Sequence, residues 1–225
     1  MNPWTVLGIA EIPNGGGELK LSQRGEEFSI RLSGVRGELM NSRVHNSEQV
    51  LAELGCAHLS SAKDAQVLVG GLGMGFTLAA ALKAVPASAK VTVAELIPDV
   101  VEWNQGPLGA CAGNPLQDSR TRVHLGDVAG LFKDAQPTFD AILLDVDNGP
   151  EGLTQTDNHG LYSMAGLAAI RCAMRPGGML AIWSAFPDDA FLTRLKKAGY
   201  KASSKMARAR VGKGSRHTIF LAKKP

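Results

Sequence analysis

Five residues, Gly71-Leu72-Gly73-Met74-Gly75, separate a short apolar run at 66–69 from a helical pattern at 76–85. Glycines in such a loop let the backbone turn tightly and approach a ligand with no Cβ between. The helix start that follows offers unpaired N–H groups to a polar or anionic group. A second strand pattern, residues 90–94, ends at Glu95, 20 residues after Gly75. A carboxylate there can accept hydrogen bonds from both hydroxyls of a ribose. Strand, glycine loop, helix, strand and terminal acid together point to a nucleoside site with Gly71, Gly73, Gly75 and Glu95 as its ligands. Position 76 is Phe, where a dinucleotide-binding loop of the G-x-G-x-x-G type would have its last glycine.

The alternation continues. Residues 122–125 and 139–144 read as strands, 163–174 as a helix stopped at Arg175-Pro176-Gly177-Gly178, and 179–183 as a fifth strand. This predicts an α/β, doubly wound, Rossmann-like parallel sheet with helices on both faces. After a helix at 187–197, segments 200–206 and 217–221 flank a basic loop and predict a terminal hairpin that adds one antiparallel strand. The first 45 residues differ. Phe28, Ile30 and Leu32 alternate with Ser29 and Arg31, which predicts a small N-terminal β domain of hairpins. Asn46 and Gln49 have the spacing of a capping box for the helix that follows, with Val50, Leu51, Leu54 and His58 on one face. The expected division is 1–62 for the β domain with its linking helix and 63–225 for the nucleoside-binding domain.

Two more sites of interest lie at strand ends. Gly126-Asp127 follows the third strand, where Asp127 could accept from an adenine amino group. Asp145-Val146-Asp147-Asn148-Gly149-Pro150 follows the fourth, and ligands of open parallel sheets bind outside the carboxyl ends of their strands. Asp145 or Asp147 is placed to steer an amine nucleophile and accept its proton. Tyr162, just beyond the acidic loop, is a candidate for the acceptor pocket.

Residues 67–83, 94–102, 126–127, 140–150, 161–163 and 175–178 resemble the spermidine synthase (polyamine aminopropyltransferase) branch of the class I S-adenosylmethionine-dependent methyltransferase superfamily. The resemblance implies that fold, a cosubstrate that is S-adenosylmethionine or its decarboxylated form, and a homodimer. It implies ribose binding by Glu95, adenine binding by Asp127 and a catalytic role for Asp145, with Asp147, Asn148 and Tyr162 on the substrate. The sequence departs from the family at three places. Met74 stands where the glycine loop carries an aspartate, Asn148 stands where the acidic loop has its second aspartate, and a Y-H-E motif would fall near Ser47-Glu48-Gln49 without its tyrosine. Because Met74 and Asn148 replace carboxylates that would grip an aminopropyl amine, methyl transfer to a small amine-type acceptor is the expected activity. Aminopropyl transfer is the alternative, and a non-catalytic nucleoside-binding regulator is a third reading.

Composition narrows the remaining classes. Three cysteines, Cys56, Cys111 and Cys172, are too few and too scattered for a disulfide framework, and the five histidines show no metal-binding spacing, so no metal is expected. No apolar run reaches membrane-spanning length and Met1-Asn2-Pro3-Trp4 lacks a signal pattern, so a cytoplasmic location is expected. From Arg194 onward there are 11 Lys and Arg and no acid, while the preceding residues hold 13 basic residues and all 21 acids. The basic segment reads as a solvated hairpin rather than a nucleic-acid surface.

Overall fold

The computed structural model describes residues 3–133, 135–146 and 158–225. Its first part is an antiparallel meander of β1 (Thr5–Glu11), β2 (Glu18–Arg24), β3 (Glu27–Leu32) and β4 (Met40–Asn41), in that spatial order. Gly25 and Glu26 close the β2–β3 hairpin, which Arg24 and Glu27 clamp with a 2.8 Å ion pair. Leu19, Leu21, Phe28 and Ile30 are buried.

α1 (Asn46–Cys56) follows, but not through a capping box: His45 is its N-cap, with no side-chain cap. Asn46 Nδ2 instead donates 2.7 Å to the carbonyl of Arg208, far along the chain. The buried face of α1 also differs from the expected one and includes Leu51, Ala52, Gly55 and Cys56. Gly55 explains this: a Cβ there would collide with the Leu143 side chain, so the helix rests its bare backbone on the sheet.

The remaining elements form the larger layer. They are β5 (Gln66–Gly70), α2 (Phe76–Ala84), β6 (Lys90–Glu95), α3 (Pro98–Gln105), β7 (Thr121–Leu125), β8 (Phe139–Leu144), α4 (Asn158–Leu161), α5 (Met164–Ala173), β9 (Met174–Ser184), α6 (Asp189–Lys197), β10 (Lys201–Arg210) and β11 (Lys213–Lys223). The sheet order is β10-β11-β9-β8-β5-β6-β7, with β5 to β9 mutually parallel. β11 is the one strand that runs against them, and β10 lies outside it as the edge. Strand alternation divides the core. Ala141 and Leu143 of β8 face the side covered by α1, while Ile142 and Leu144 face the side that holds Tyr162, Ile170 and Phe191.

Two boundaries move from the sequence expectation. β9 begins at Met174, because the Phe139–Met174 and Ala141–Met179 pairings bracket a bulge that absorbs Pro176-Gly177-Gly178. β10 and β11 extend into the basic loop until only Val211 and Gly212 connect them, with Ala207 and Ala209 buried. This register sets Arg208 opposite Arg216, Arg210 opposite Lys213 and Lys201 opposite Lys223. Among the described residues no helix is long and apolar enough to cross a membrane.

Candidate active site

The chain order β5, β6, β7 runs to one side of β5, and β8 then returns to pair on its other side. Ligand crevices of open α/β sheets form at such a switch point, outside the strand carboxyl ends. A cavity of about 520 Å³ lies there, roofed in part by Ile12, Leu19 and Met40 of the N-terminal sheet.

The glycine loop forms its floor. Gly71 has φ +89°, donates to the Ala94 carbonyl at 2.9 Å, and lies so close to β8 that a Cβ on it would strike the Asp145 carbonyl. Gly75, at φ +85°, is the N-cap of α2. All of Gly71, Gly73, Glu95, Asp127 and Asp145 line the cavity, whereas Gly75 supports it from behind, its α-carbon facing Asn104 and Pro115. Met74 lines the cavity as well and is 4% exposed.

Glu95 closes the loop onto the sheet. Its Oε2 accepts from the Leu72 N–H and its Oε1 from the Ile97 N–H, both at 2.9 Å. Burial pushes its carboxyl up, against the pull of these backbone donors. The Gly73 and Leu96 backbone N–H groups also act on this carboxylate. Asp127 uses Oδ1 to cap the turn at Val128–Phe132, accepting from the Ala129 N–H at 2.8 Å.

Asp145 follows Leu144 and continues the face of Leu143, toward α1 and α2. Its Oδ2 accepts 2.5 Å from Thr77 Oγ1. Burial raises its carboxyl to about 6, with the threonine hydrogen bond opposing the rise. Glu48, in the first turn of α1, also lines the cavity. Its Oε2 accepts 2.6 Å from the adjacent Ser47 hydroxyl. Burial and then the charge of Asp145 raise Glu48 to about 7. Each carboxyl is thus more readily protonated than an exposed one. Sequence reading passed over Glu48 as an ordinary helix-start acid; the available signal was its place in the stretch where the family motif falls.

The far wall comes from β9, β10 and β11: Trp183, Ala209, Ser215 and His217. The Trp183 and His217 rings lie 4.7 Å apart, tilted by 33°. Burial lowers the His217 pKa and so favours its neutral ring. Trp183 Nε1 and His217 Nδ1 are both buried with no hydrogen-bond partner among the described residues.

Other expected residues fall elsewhere. Tyr162 does not line the cavity. It is 2% exposed in the core on the opposite side of the sheet, edge-on to Phe191 at 5.6 Å, because the chain turns into α5 at the Ser163 cap immediately after it. Asp147 and Asn148 lie outside the described residues. Among the described residues no three His, Cys, Asp or Glu side chains converge on a metal position.

A parallel sheet with one antiparallel strand, a glycine loop at the switch point and an acid after the next strand define a class I S-adenosylmethionine-dependent methyltransferase-like fold. Within that class, residues 45–194 match the spermine/spermidine synthase domain, and the chain belongs to that family. A polyamine aminopropyltransferase of Nitrosomonas europaea is 33% identical over 121 residues, which are 52% of this chain and 34% of that protein, so the match spans about a third of the relative's length. The crystal structure of spermidine synthase from Thermotoga maritima superposes with a TM-score of 0.77 at 17% identity, over 98% of this chain and 73% of its own. A spermidine synthase in complex with the transition-state analogue AdoDATO gives 0.76 at 16% identity, over 98% and 72%.

Proposed function

We propose that this chain transfers an aminopropyl group from decarboxylated S-adenosylmethionine to an amine acceptor. The observation that carries this reading is the charge of the cavity wall. Glu38, Glu48, Glu95, Asp127 and Asp145 line it, and among the described residues no Lys or Arg does. S-adenosylmethionine would bring its α-carboxylate into this wall of like charge with no cation to receive it. The decarboxylated donor brings a sulfonium and an ammonium only. The expectation of methyl transfer rested on charges lost at Met74 and Asn148; the surplus of carboxylates elsewhere in the cavity outweighs it. The family and the aminopropyltransferase relative support the same reading.

In this reading Glu95 receives the ribose hydroxyls, Asp127 the adenine amino group, and the loop from Gly71 to Gly75 lets the nucleoside lie against the backbone. The acceptor nitrogen attacks the propyl carbon bound to sulfur. A C–N bond forms, the C–S bond breaks, and its electron pair neutralises the sulfonium to the thioether of 5′-methylthioadenosine. Asp145 takes the proton that the amine loses. The donor is already activated, so the protein contributes alignment above all.

The test supplies purified protein with a panel of alkyl amines and either donor, and separates 5′-methylthioadenosine from S-adenosylhomocysteine among the products. The expected result is 5′-methylthioadenosine from the decarboxylated donor, with at least tenfold weaker binding of S-adenosylmethionine. Formation of S-adenosylhomocysteine with equal or better binding of S-adenosylmethionine would restore methyl transfer.

A further inference from the structure

Glycine permits the left-handed turn of the loop at 71–75 but does not select it. A side chain behind the loop does. Asn104, in the last turn of α3, is 2% exposed and lies outside the cavity lining. Its Nδ2 donates to the Gly73 carbonyl at 2.8 Å and to the Val100 carbonyl at 2.9 Å. Both neighbours are acceptors, so the amide can face them only through its nitrogen. Oδ1 is left buried with no hydrogen-bond partner among the described residues, where a Cβ on Gly75 would come within 3.1 Å of it.

The helix has no need of this arrangement. The Val100 carbonyl lies one turn before Asn104, where a backbone N–H is its ordinary helical partner. A leucine of similar size would fill the space with no buried acceptor left over. What the amide adds is the bond to Gly73, 31 residues away. That residue is held from both ends. Its N–H acts on the Glu95 carboxylate, and its carbonyl is turned to α3. Gly73 meets both directions at φ +51°. Across a trans peptide the N–H opposes the carbonyl, so Met74 presents its N–H away from α3. The Met74 carbonyl returns to the rear, 3.9 Å from Cys111 Sγ. Asn104 is itself braced: a Cβ on Gly109 would strike its backbone carbonyl, so the turn at Pro107–Ala112 presses on it from behind.

We infer that Asn104 is a positioning residue for the donor: it meets no ligand itself and acts through Gly73, selecting the loop conformation on which the nucleoside lies. This rests on the nucleoside site of the functional reading and adds to it a residue behind the cavity on which donor affinity depends. Without the amide, Gly73 is free to leave its left-handed conformation. Affinity for a nucleoside then falls with the fraction of loops that stay competent. The orphaned Oδ1 is the cost to the fold of keeping a donor at this place.

Calorimetry on the full chain with 5′-methylthioadenosine tests this. Asn104→Leu keeps the size and burial of the side chain and removes its donor. It should weaken the nucleoside about five- to tenfold, while the ligand-free chain melts within a few degrees of the wild type. Asn104→Asp supplies a readout that a merely structural role would not move. A carboxyl donates only while protonated, so relative to wild type this variant should bind within about twofold at about pH 6 and as weakly as Asn104→Leu at about pH 9. The two conditions are compared within one variant, so this arm stands even where Asn104→Leu fails to fold. Wild-type affinity in Asn104→Leu, or an Asn104→Asp variant as weak at the lower pH as at the higher, would overturn the inference and leave the nucleoside site standing. A wild type that does not bind 5′-methylthioadenosine would instead overturn the functional reading beneath it.

Discussion

Thr77 Oγ1 donates a 2.5 Å hydrogen bond to Asp145 Oδ2, joining the first turn of α2 to the residue that follows β8. The bond fixes one carboxylate oxygen, Oδ2. It also acts on basicity, since it favours the ionised form that burial disfavours.

Asp145→Asn keeps the size of the side chain and removes its charge. Turnover should fall on the order of a hundredfold or more, the range of a positioned proton acceptor. Affinity for 5′-methylthioadenosine should change little. Steady-state kinetics and calorimetry on the same preparation check both, and an unimpaired variant would show that another carboxylate takes the proton.

Thr77→Val leaves the shape of α2 intact and deletes the donor to Asp145. The carboxyl of Asp145 should then rise further, so the acidic limb of the kcat/KM profile should move to higher pH. A pH profile that superimposes on that of the wild type would mean that this hydrogen bond does not set the active protonation state.

The raised carboxyls also make stability depend on pH. Glu48 and Asp145 ordinarily ionise near 4.5 and 3.8, and in the fold near about 7 and about 6. Between these limits the folded chain binds more protons than the unfolded one, so this pair lowers stability as pH rises from about 4 to about 7. Half-buried His45 and His217, whose pKa values are lowered, push the other way below about 6.5. The difference between Glu48→Gln and wild type removes that background. At pH 8 without ligand the variant should melt a few degrees higher, each ~1 kcal/mol being worth roughly 2–4 °C in a chain of this size. At pH 4 the advantage should vanish.

Gly71→Ala should be among the most damaging changes available to this chain. It places an L-residue at positive φ, a cost of about 1–2 kcal/mol, and drives the new methyl into the Asp145 carbonyl. The carbonyl belongs to backbone and cannot swing aside. A Tm drop of several degrees is expected, together with loss of turnover as Asp145 is displaced; a fully active, equally stable variant would contradict the close approach of loop and strand.

The hairpin register makes a prediction about salt. Like charges directly opposite each other on β10 and β11 are destabilising by a few tenths of a kcal/mol per pair. Raising sodium chloride from about 0.05 to 0.5 M, where the screening length shrinks well below 10 Å, should raise the melting temperature of the wild type more than that of Arg208→Gln/Arg210→Gln. Nucleic-acid binding by this segment should be weak and vanish at the higher salt.

Strand-end residues were the legible part of the site. Glu95, Asp127 and Asp145 each follow an apolar run, and a parallel sheet brings the ends of such runs to one edge. Glu48 was legible only through its place in the motif stretch, not through a strand end. It sits on a helix whose relation to the sheet is set by Gly55 lying on Leu143, a contact that no local pattern announces. Tyr162 is near the acidic loop along the chain but not at the cavity, because Phe191, from a later element, packs edge-on against it and Phe220 in turn packs on Phe191. The charge balance of the cavity is not visible residue by residue. Met74 and Asn148 each record a lost charge, but the excess of carboxylates exists only once α1, β6 and β8 meet around one cavity.

The place of β11 bears on how a ribosome delivers this molecule. Until residues 213–223 emerge, β9 has no neighbour on its outer side, the cavity lacks Ser215 and His217, and the carbonyl that holds Asn46 belongs to an unpaired strand. A nascent chain therefore carries its glycine loop, Asp145 and Glu48 well before it has the wall that Ser215 and His217 supply. Translation through the basic segment is thus the step that completes the cavity, and a chain stalled within it would present the open edge of β9 to other strands.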